Sequence, residues 1–385
     1  MFLKKSSLTK LGRKRLLVVY IIVLISMIAV GLSRPAITFK IKKIEAHDLI
    51  GLKIGLITTA FFIFRALGAT LSANIKNKKL IVTLGFFGFA FCLTVYNISN
   101  TYLPIILTKP LEGFLAGLTW PLIQLLVGVF AAEKWKITCM TIYFMMGRIG
   151  IQAGSILYGL INSIALSLFL ASILMLISAF PVFKIYQSDK EGHKKKQKAE
   201  VKEKIILQTS PIYLAAFATG FNMGLVMELT LFYLNTVKNL SEAQTSILYG
   251  IAGLSTLFIP VIKGYFADVY SRRLIVSLSL LSVTLGGFVF SLEFVRGFLV
   301  LVPLIIYITG LATLQSLVRG LAILSKNPQK AIGYTNASGN IGAAISPIIG
   351  GLLISIRLFP FDSIFMLVGS FVALITLLAF LRIKI

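Results

Sequence analysis

Twelve apolar stretches, each about as long as a bilayer-crossing helix, leave this chain little choice of solvent. They run over residues 16–39, 52–74, 80–97, 101–130, 138–161, 164–185, 206–235, 244–266, 274–294, 298–323, 332–356 and 361–381. Crossing the hydrocarbon takes about 20 apolar residues in a helix, which satisfies its own backbone polar groups inside lipid. Few of the gaps exceed ten residues, so no soluble domain of useful size fits between the stretches. With 57% hydrophobic and only 13% charged residues among 385, the sequence predicts an all-α polytopic membrane protein.

The net charge of +25 is distributed by loop. If the N-terminus is cytoplasmic, the inner segments carry Lys4, Lys5, Lys10, Arg13, Lys14 and Arg15, then Lys76, Lys78, Lys79, Lys134 and Lys136, and later Arg272, Arg273, Lys326, Lys330, Arg382 and Lys384. The outer loops hold mainly Lys40, Lys42, Lys43, Lys238, Arg296 and Arg357. That asymmetry is the positive-inside pattern, and it places both termini in the cytoplasm of a multi-pass protein of the cell membrane. The basic charge is thus topogenic, and no nucleic-acid partner is expected. The first apolar run is too long for a signal-peptide core, and it is kept as the first span. Cys92 and Cys139 fall within or at the edge of spans and read as small core residues.

The longest hydrophilic stretch, "YQSDKEGHKKKQKAEVKEK" from 186 to 204, separates six spans from six. It reads as a basic cytoplasmic linker, residues 186–205, between an N-terminal bundle (1–185) and a C-terminal bundle (206–385). The two halves echo each other. At an offset of 192, Gly147, Ile149, Gly150, Ile156, Gly159 and Leu160 match Gly339, Ile341, Gly342, Ile348, Gly351 and Leu352. At an offset of 194, "TLSANIKNKKLIV" (70–82) answers "GYFADVYSRRLIV" (264–276). Nearly equal offsets about a central linker indicate duplication, hence two six-helix bundles in parallel repeat.

The segment "GYFADVYSRR" (264–273) resembles the signature loop G-x-L-a-D-r-x-G-R-[KR] of the major facilitator superfamily. Gly264, Asp268, Arg272 and Arg273 are in register, with Ser271 in place of the second glycine. The first-half copy is degraded: Thr70, Asn74 and Asn77 replace its Gly, Asp and Gly, leaving Lys78 and Lys79. "LTKPLEGFLAGLTWP" (107–121) is similar to the family's fourth-helix pattern R-x-x-q-G, with Lys109, Glu112 and Gly113. The antiporter pattern G-x-x-x-G-P-x-x-G-G is partly kept by Gly150, Gly154 and Gly159, and more closely by Gly342, Pro347, Gly350 and Gly351. The resemblance implies twelve transmembrane helices in two pseudo-symmetric bundles working by alternating access. It also implies gating roles for Gly264, Asp268, Arg272 and Arg273, and for Asn74, Lys78 and Lys79 in the weaker first-half copy.

Charges deep in spans need a wet cavity or a partner, since one at the bilayer centre costs about 2.5–3.5 kcal/mol on insertion scales. Counted along each span, Arg65, Glu112 and Arg148 lie about eleven residues in, with Lys109 one turn from Glu112 on the same face. All map onto helices that line the central cavity in the superfamily. Gln152 shares a face with Arg148, and Asn336 and Asn340 form a stripe on span eleven. Asn222 of span seven is a further cavity hydrogen-bonding candidate. Glu112 and Arg148, at similar depth on consecutive helices, are expected to form an ion pair. Arg34 is expected to snorkel to the interface, and Arg319 to act as an anchor near the end of its span. Glu112 and Glu228 are the candidate proton carriers, although Glu228 also reads as snorkelling.

Arg65, Lys109, Glu112 and Arg148 together leave the inner region at +2, which favours an organic or inorganic anion over a cation. The expected function is transport of a small solute by a monomer without cofactor or metal. The alternative is a multidrug/proton antiporter that exports lipophilic compounds. No nucleotide-binding loop, G-x-S-x-G, H-E-x-x-H or paired-cysteine motif points to ATP drive or to an enzyme. Uniport and exchange both stay open.

Overall fold

A computed structural model describes residues 10–45, 49–187, 209–226, 228–236, 240–290, 292, 301–325, 327–356 and 364–382. Among them the chain forms twelve helical spans and no strand. In the first half these are α1 Lys10–Ile44, α2 Ile50–Ser72, α3 Lys78–Ile98, α4 Tyr102–Phe130, α5 Lys136–Ile161 and α6 Ile164–Gln187. In the second half α7 comprises Thr209–Val226 and Glu228–Thr236, and α8 comprises Glu242–Leu254 and Phe258–Val269. They are followed by α9 Arg272–Phe290, α10 Leu301–Ile323, α11 Pro328–Ile356 and α12 Ile364–Arg382. Ten of the spans are long and apolar enough to cross a membrane. The expected linker begins in the last turn of α6, and its residues 188–205 lie outside the described residues.

Local sequence explains where several helices start. Asn77 caps α3 by accepting from the Leu80 amide at 3.3 Å. Ser241 and Gln244 form a reciprocal capping box at the start of α8. The chain turns from α5 into α6 through Asn162 in the left-handed region (φ 48°), which Asn tolerates better than most residues. The outer surface is itself apolar. Phe87 and Phe91 of α3, Phe180 of α6 and Phe258 of α8 are exposed, as suits side chains facing lipid.

The packing repeats with the sequence. Inside the first half α1 lies on α5 and α6, α2 on α4, and α3 on α4 and α6. Six helices later the same pairs recur: α7 on α11 and α12, α8 on α10, and α9 on α10 and α12. The glycine patterns form matching seams. A Cβ on Gly154 would strike the Ile28 carbonyl of α1, and one on Gly342 would strike the Phe217 carbonyl of α7. Both α5 and α11 run unbroken through these glycines, whose role is therefore close approach of backbones. Between the halves, α2 packs along α11 and α5 along α8. Thr59 donates to the Ala344 carbonyl at 2.6 Å across the α2–α11 contact.

Candidate substrate site

The cavity lies between the halves, around the middle of α1, α2, α4, α5, α7, α10 and α11. It has two connected chambers of about 130 and 100 Å³. Arg34, Arg65, Arg319, Gln315, Trp120 and Met223 line both. Lys109, Glu112 and Asn340 line only the first, whereas Arg148, Gln152 and Asn336 line only the second.

The expected Glu112–Arg148 ion pair is not formed. The Glu112 carboxylate instead accepts from Lys109 Nζ at 2.8 Å and from the Tyr96 hydroxyl at 2.8 Å. Lys109 stands three residues away on the same helix, so this pair needs no tertiary alignment. Its ammonium also lies over the rings of Tyr96 (5.0 Å) and Phe61 (5.5 Å). Arg148 faces the other half, where Nη2 donates to Gln315 Oε1 at 3.2 Å. Among the described residues its buried Nε has no hydrogen-bond partner, and neither has Gln152 Oε1.

Two arginines assigned to the membrane edge belong to the cavity. Arg34 lies well inside α1, which runs on through Pro35 to Ile44. Arg319 is only 7% exposed although it is one turn from the end of α10. One rule of helix geometry accounts for both corrections. Side chains tilt towards the N-terminus of their own helix. α1 and α10 run in opposite directions across the membrane, and in each case that tilt carries the guanidinium back towards the centre. Arg319 donates to Asn336 Oδ1 (3.4 Å) and to the Gln315 carbonyl (3.3 Å), and lies over the Phe144 ring at 5.8 Å. Asn336 in turn donates to Gln124 Oε1 at 2.8 Å.

Arg65 lies over the rings of Phe61 and Phe62 at 5.7 and 5.6 Å. Among the described residues the side chain of neither Arg34 nor Arg65 makes a hydrogen bond or ion pair. The cationic groups feel one another: Arg65 interacts electrostatically with Arg34 and Arg319, and Arg148 with Arg34. With Lys109 balanced by Glu112, the lining carries a formal +4, against the +2 expected from sequence. At an effective dielectric near 20, two like charges about 8 Å apart repel by about 2 kcal/mol, so such a lining favours anions strongly.

Asn222 is not part of the lining. It accepts a hydrogen bond from the Tyr307 hydroxyl at 2.5 Å and donates to the Ala218 carbonyl, which ties α7 to α10. Asn340 is buried on the wall of the first chamber. Glu228 opens the second segment of α7, and its side chain lies outside the described residues.

The halves also meet at both ends of the cavity. At the end rich in Lys and Arg, called here the basic face, Asp268 of α8 accepts from the Thr138 amide at 2.8 Å and from its hydroxyl at 2.5 Å. Thr138 lies in the first turn of α5, so the carboxylate caps the positive end of that helix. Gly264 allows the approach, since a Cβ there would come within 2.5 Å of Thr141 Oγ1. Arg272 and Arg273 open α9, and Arg272 interacts electrostatically with Asp268. In the first-half copy Asn74 is exposed, and Lys78 and Lys79 open α3. The cross-contact there is made by Gln329 of α11, which donates to the Ser72 and Ile75 carbonyls at 3.0 and 3.4 Å. At the opposite face Lys42 donates to Asn235 at 2.6 Å, and Glu242 receives Lys43 at 3.5 Å and the Tyr158 hydroxyl at 3.2 Å.

Comparison with known proteins agrees with this architecture. The family profile described as Major Facilitator Superfamily matches residues 16–329. No curated protein matches the chain. Among solved structures, the human organic anion transporter MFSD10 (TETRAN) is similar at a TM-score of 0.76 and 14% identity, covering 96% of this chain and 99% of that one. A bacterial homologue of the iron transporter ferroportin, in an outward-facing state, gives 0.69 at 14% identity, covering 96% and 98%. The nucleoside transporter NupG gives 0.66 at 13%, covering 96% and 100%. At these identities the likeness is one of fold.

Proposed function

The chain belongs to the Major Facilitator Superfamily, and from that premise we propose that it carries a small organic anion across the membrane by alternating access. It is a multi-pass membrane transporter. The observation that carries the anion reading is the cavity itself: four guanidiniums from α1, α2, α5 and α10, with the one lining carboxylate among the described residues already bound to Lys109. A cation entering this space meets repulsion from every side, whereas an anion relieves the mutual repulsion of the arginines. The organic anion carried by the similar human protein, as its description names it, fits the same reading. The lining argues against the alternative, export of lipophilic compounds by proton antiport, wherever those compounds are cations.

In this reading the basic face is cytoplasmic, as the positive-inside pattern suggests, and Asp268 on Thr138 is its principal latch. Lys42, Lys43, Glu242 and Tyr158 form the lighter latch at the outer face. Rocking of the halves breaks one set while keeping the other, so the arginines face each side in turn. Glu112 spends its charge on Lys109 and Tyr96. The test is a thermal-shift screen of the purified protein against matched panels of small organic anions and lipophilic cations. A ligand at 100 times its dissociation constant stabilises the native state by about 2.7 kcal/mol. Stabilisation by anions, lost in Arg148→Gln, supports the reading; stabilisation by cations alone overturns it.

A further inference from the structure

The four arginines of the lining share one space. Arg34, Arg65 and Arg319 line both chambers, and Arg148 enters the second. Arg148 interacts electrostatically with Arg34, Arg34 with Arg65, and Arg65 with Arg319. Arg319 and Arg148 then converge on Gln315, the first on its carbonyl at 3.3 Å and the second on its Oε1 at 3.2 Å. The guanidiniums thus form a closed circuit, drawn from α1, α2, α5 and α10. Acceptors within that circuit are scarce. Among the described residues the side chains of Arg34 and Arg65 have no hydrogen-bond or ion-pair partner, and the buried Nε of Arg148 has none either. Glu112, which also acts on Arg65, is held by Lys109.

Resting on the anion reading above, we propose that the cargo carries one compact dianionic head, a phosphate or phosphonate group on a small organic body, and that this head occupies the space enclosed by the four arginines. A carboxylate or sulfate group brings one negative charge and leaves three of the four cations without a counter-charge in a desolvated space; a dianion leaves two. A carboxylate has two oxygens and fits one guanidinium fork. A phosphoryl group presents three strong acceptor oxygens about one centre, so guanidiniums arriving from different helices can each find one. The walls call for an organic body. Arg65 lies over Phe61 and Phe62, Arg319 lies over Phe144, and Trp120 and Met223 line both chambers. Such surfaces gain from an apolar group and offer a bare ion nothing.

The experiment measures binding to the purified full chain in detergent, by calorimetry at about pH 8, of phenyl phosphate, phenyl sulfate, terephthalate and inorganic phosphate. Phenyl phosphate is then a dianion, since the second pKa of a phosphate ester is about 6. Phenyl sulfate keeps the same body and the same three terminal oxygens with a single charge, and terephthalate carries two charges at separate ends. Phenyl phosphate is expected to bind about thirtyfold more tightly than phenyl sulfate, the yield of one further charge-assisted contact. Arg34→Gln and Arg65→Gln should weaken phenyl phosphate by roughly the square of the factor by which they weaken phenyl sulfate, because the lost Coulomb energy scales with the charge of the ligand. Arg34→Lys should keep most of the preference. A variant that only disturbs the fold weakens both ligands by one common factor, and that result overturns the role of the arginines. Equal binding of phenyl phosphate and phenyl sulfate overturns the dianionic head, and terephthalate binding as tightly as phenyl phosphate overturns its compactness. Inorganic phosphate binding as tightly overturns the organic body. Failure of phenyl phosphate to bind overturns the whole proposal. If phenyl sulfate binds in its place the anion reading beneath still stands, whereas if only tetraphenylphosphonium binds that reading falls as well.

Discussion

Asp268 reaches across 130 residues of sequence to cap the helix that begins beside Thr138, accepting its amide at 2.8 Å and its hydroxyl at 2.5 Å. A carboxylate at a helix N-terminus gains from the hydrogen bonds and from the helix dipole, together worth about 1–2 kcal/mol. Asp268→Asn keeps an acceptor and removes the charge. The expected result is a roughly five- to thirtyfold shift towards the state open at the basic face, which follows from that energy. Spin-label distances across α5 and α8 at that face report it directly; an unchanged distribution would count against the latch.

The opposite face should give way more cheaply. Lys43 is 62% exposed, and exposed ion pairs contribute about 0–1 kcal/mol. Glu242→Gln is therefore expected to open that face by a smaller factor than Asp268→Asn opens the other. Parallel labelling of single cysteines at the two faces compares them. A larger effect from Glu242→Gln would reverse the assignment of the principal latch.

Lys109 and Glu112 are both buried for most of their length; Glu112 accepts from the Tyr96 hydroxyl and Lys109 lies over the Tyr96 ring. Removing one partner strands the other, at a cost of about 3 kcal/mol. Glu112→Gln and Lys109→Met should each lower the melting temperature, and the double variant should recover a large part of the loss. If Glu112→Gln alone is as stable as the parent, the pair does not hold the helix.

The seams inside the halves predict matched damage. Gly154→Val forces a side chain into the Ile28 carbonyl, and Gly342→Val into that of Phe217. Overpacking of this kind costs about 3 kcal/mol, and the two variants should lose similar stability although they share no contact. Thermal melts in detergent measure this; a harmless Gly342→Val beside a disruptive Gly154→Val would show that the repeat is not structurally equivalent.

Much of the architecture was legible in the sequence because membrane solvent restricts the choices. Span count, helical class and duplication all follow from apolar run length and from the glycine offsets. The contents of the cavity were legible in part. Arg65, Lys109, Glu112, Arg148, Gln152, Asn336 and Asn340 line it, whereas Asn222 turns away to Tyr307. Depth counting misplaced Arg34 and Arg319, because it follows the Cα and ignores a long side chain that leans back along its helix. The proposed Glu112–Arg148 pair matched depth but neglected azimuth. Depth is written in the sequence, whereas the direction each face takes depends on how the helices pack. The partner three residues away was the better choice on local grounds alone.

The glycine seams have one more consequence. Where backbones touch, there are no flexible side chains to absorb strain, so α1 with α5 and α7 with α11 behave as stiff beams. A stiff beam pivoting near its middle cannot loosen at one tip without pressing in at the other. The two faces of this protein are then rivals for the same motion: every gain in grip at the Asp268 end is a handicap at the Glu242 end. On the proposed alternating-access reading, the imbalance between them sets the pace of the cycle, and substitutions at the two tips, away from the cavity, are expected to change turnover without changing which cargo is bound.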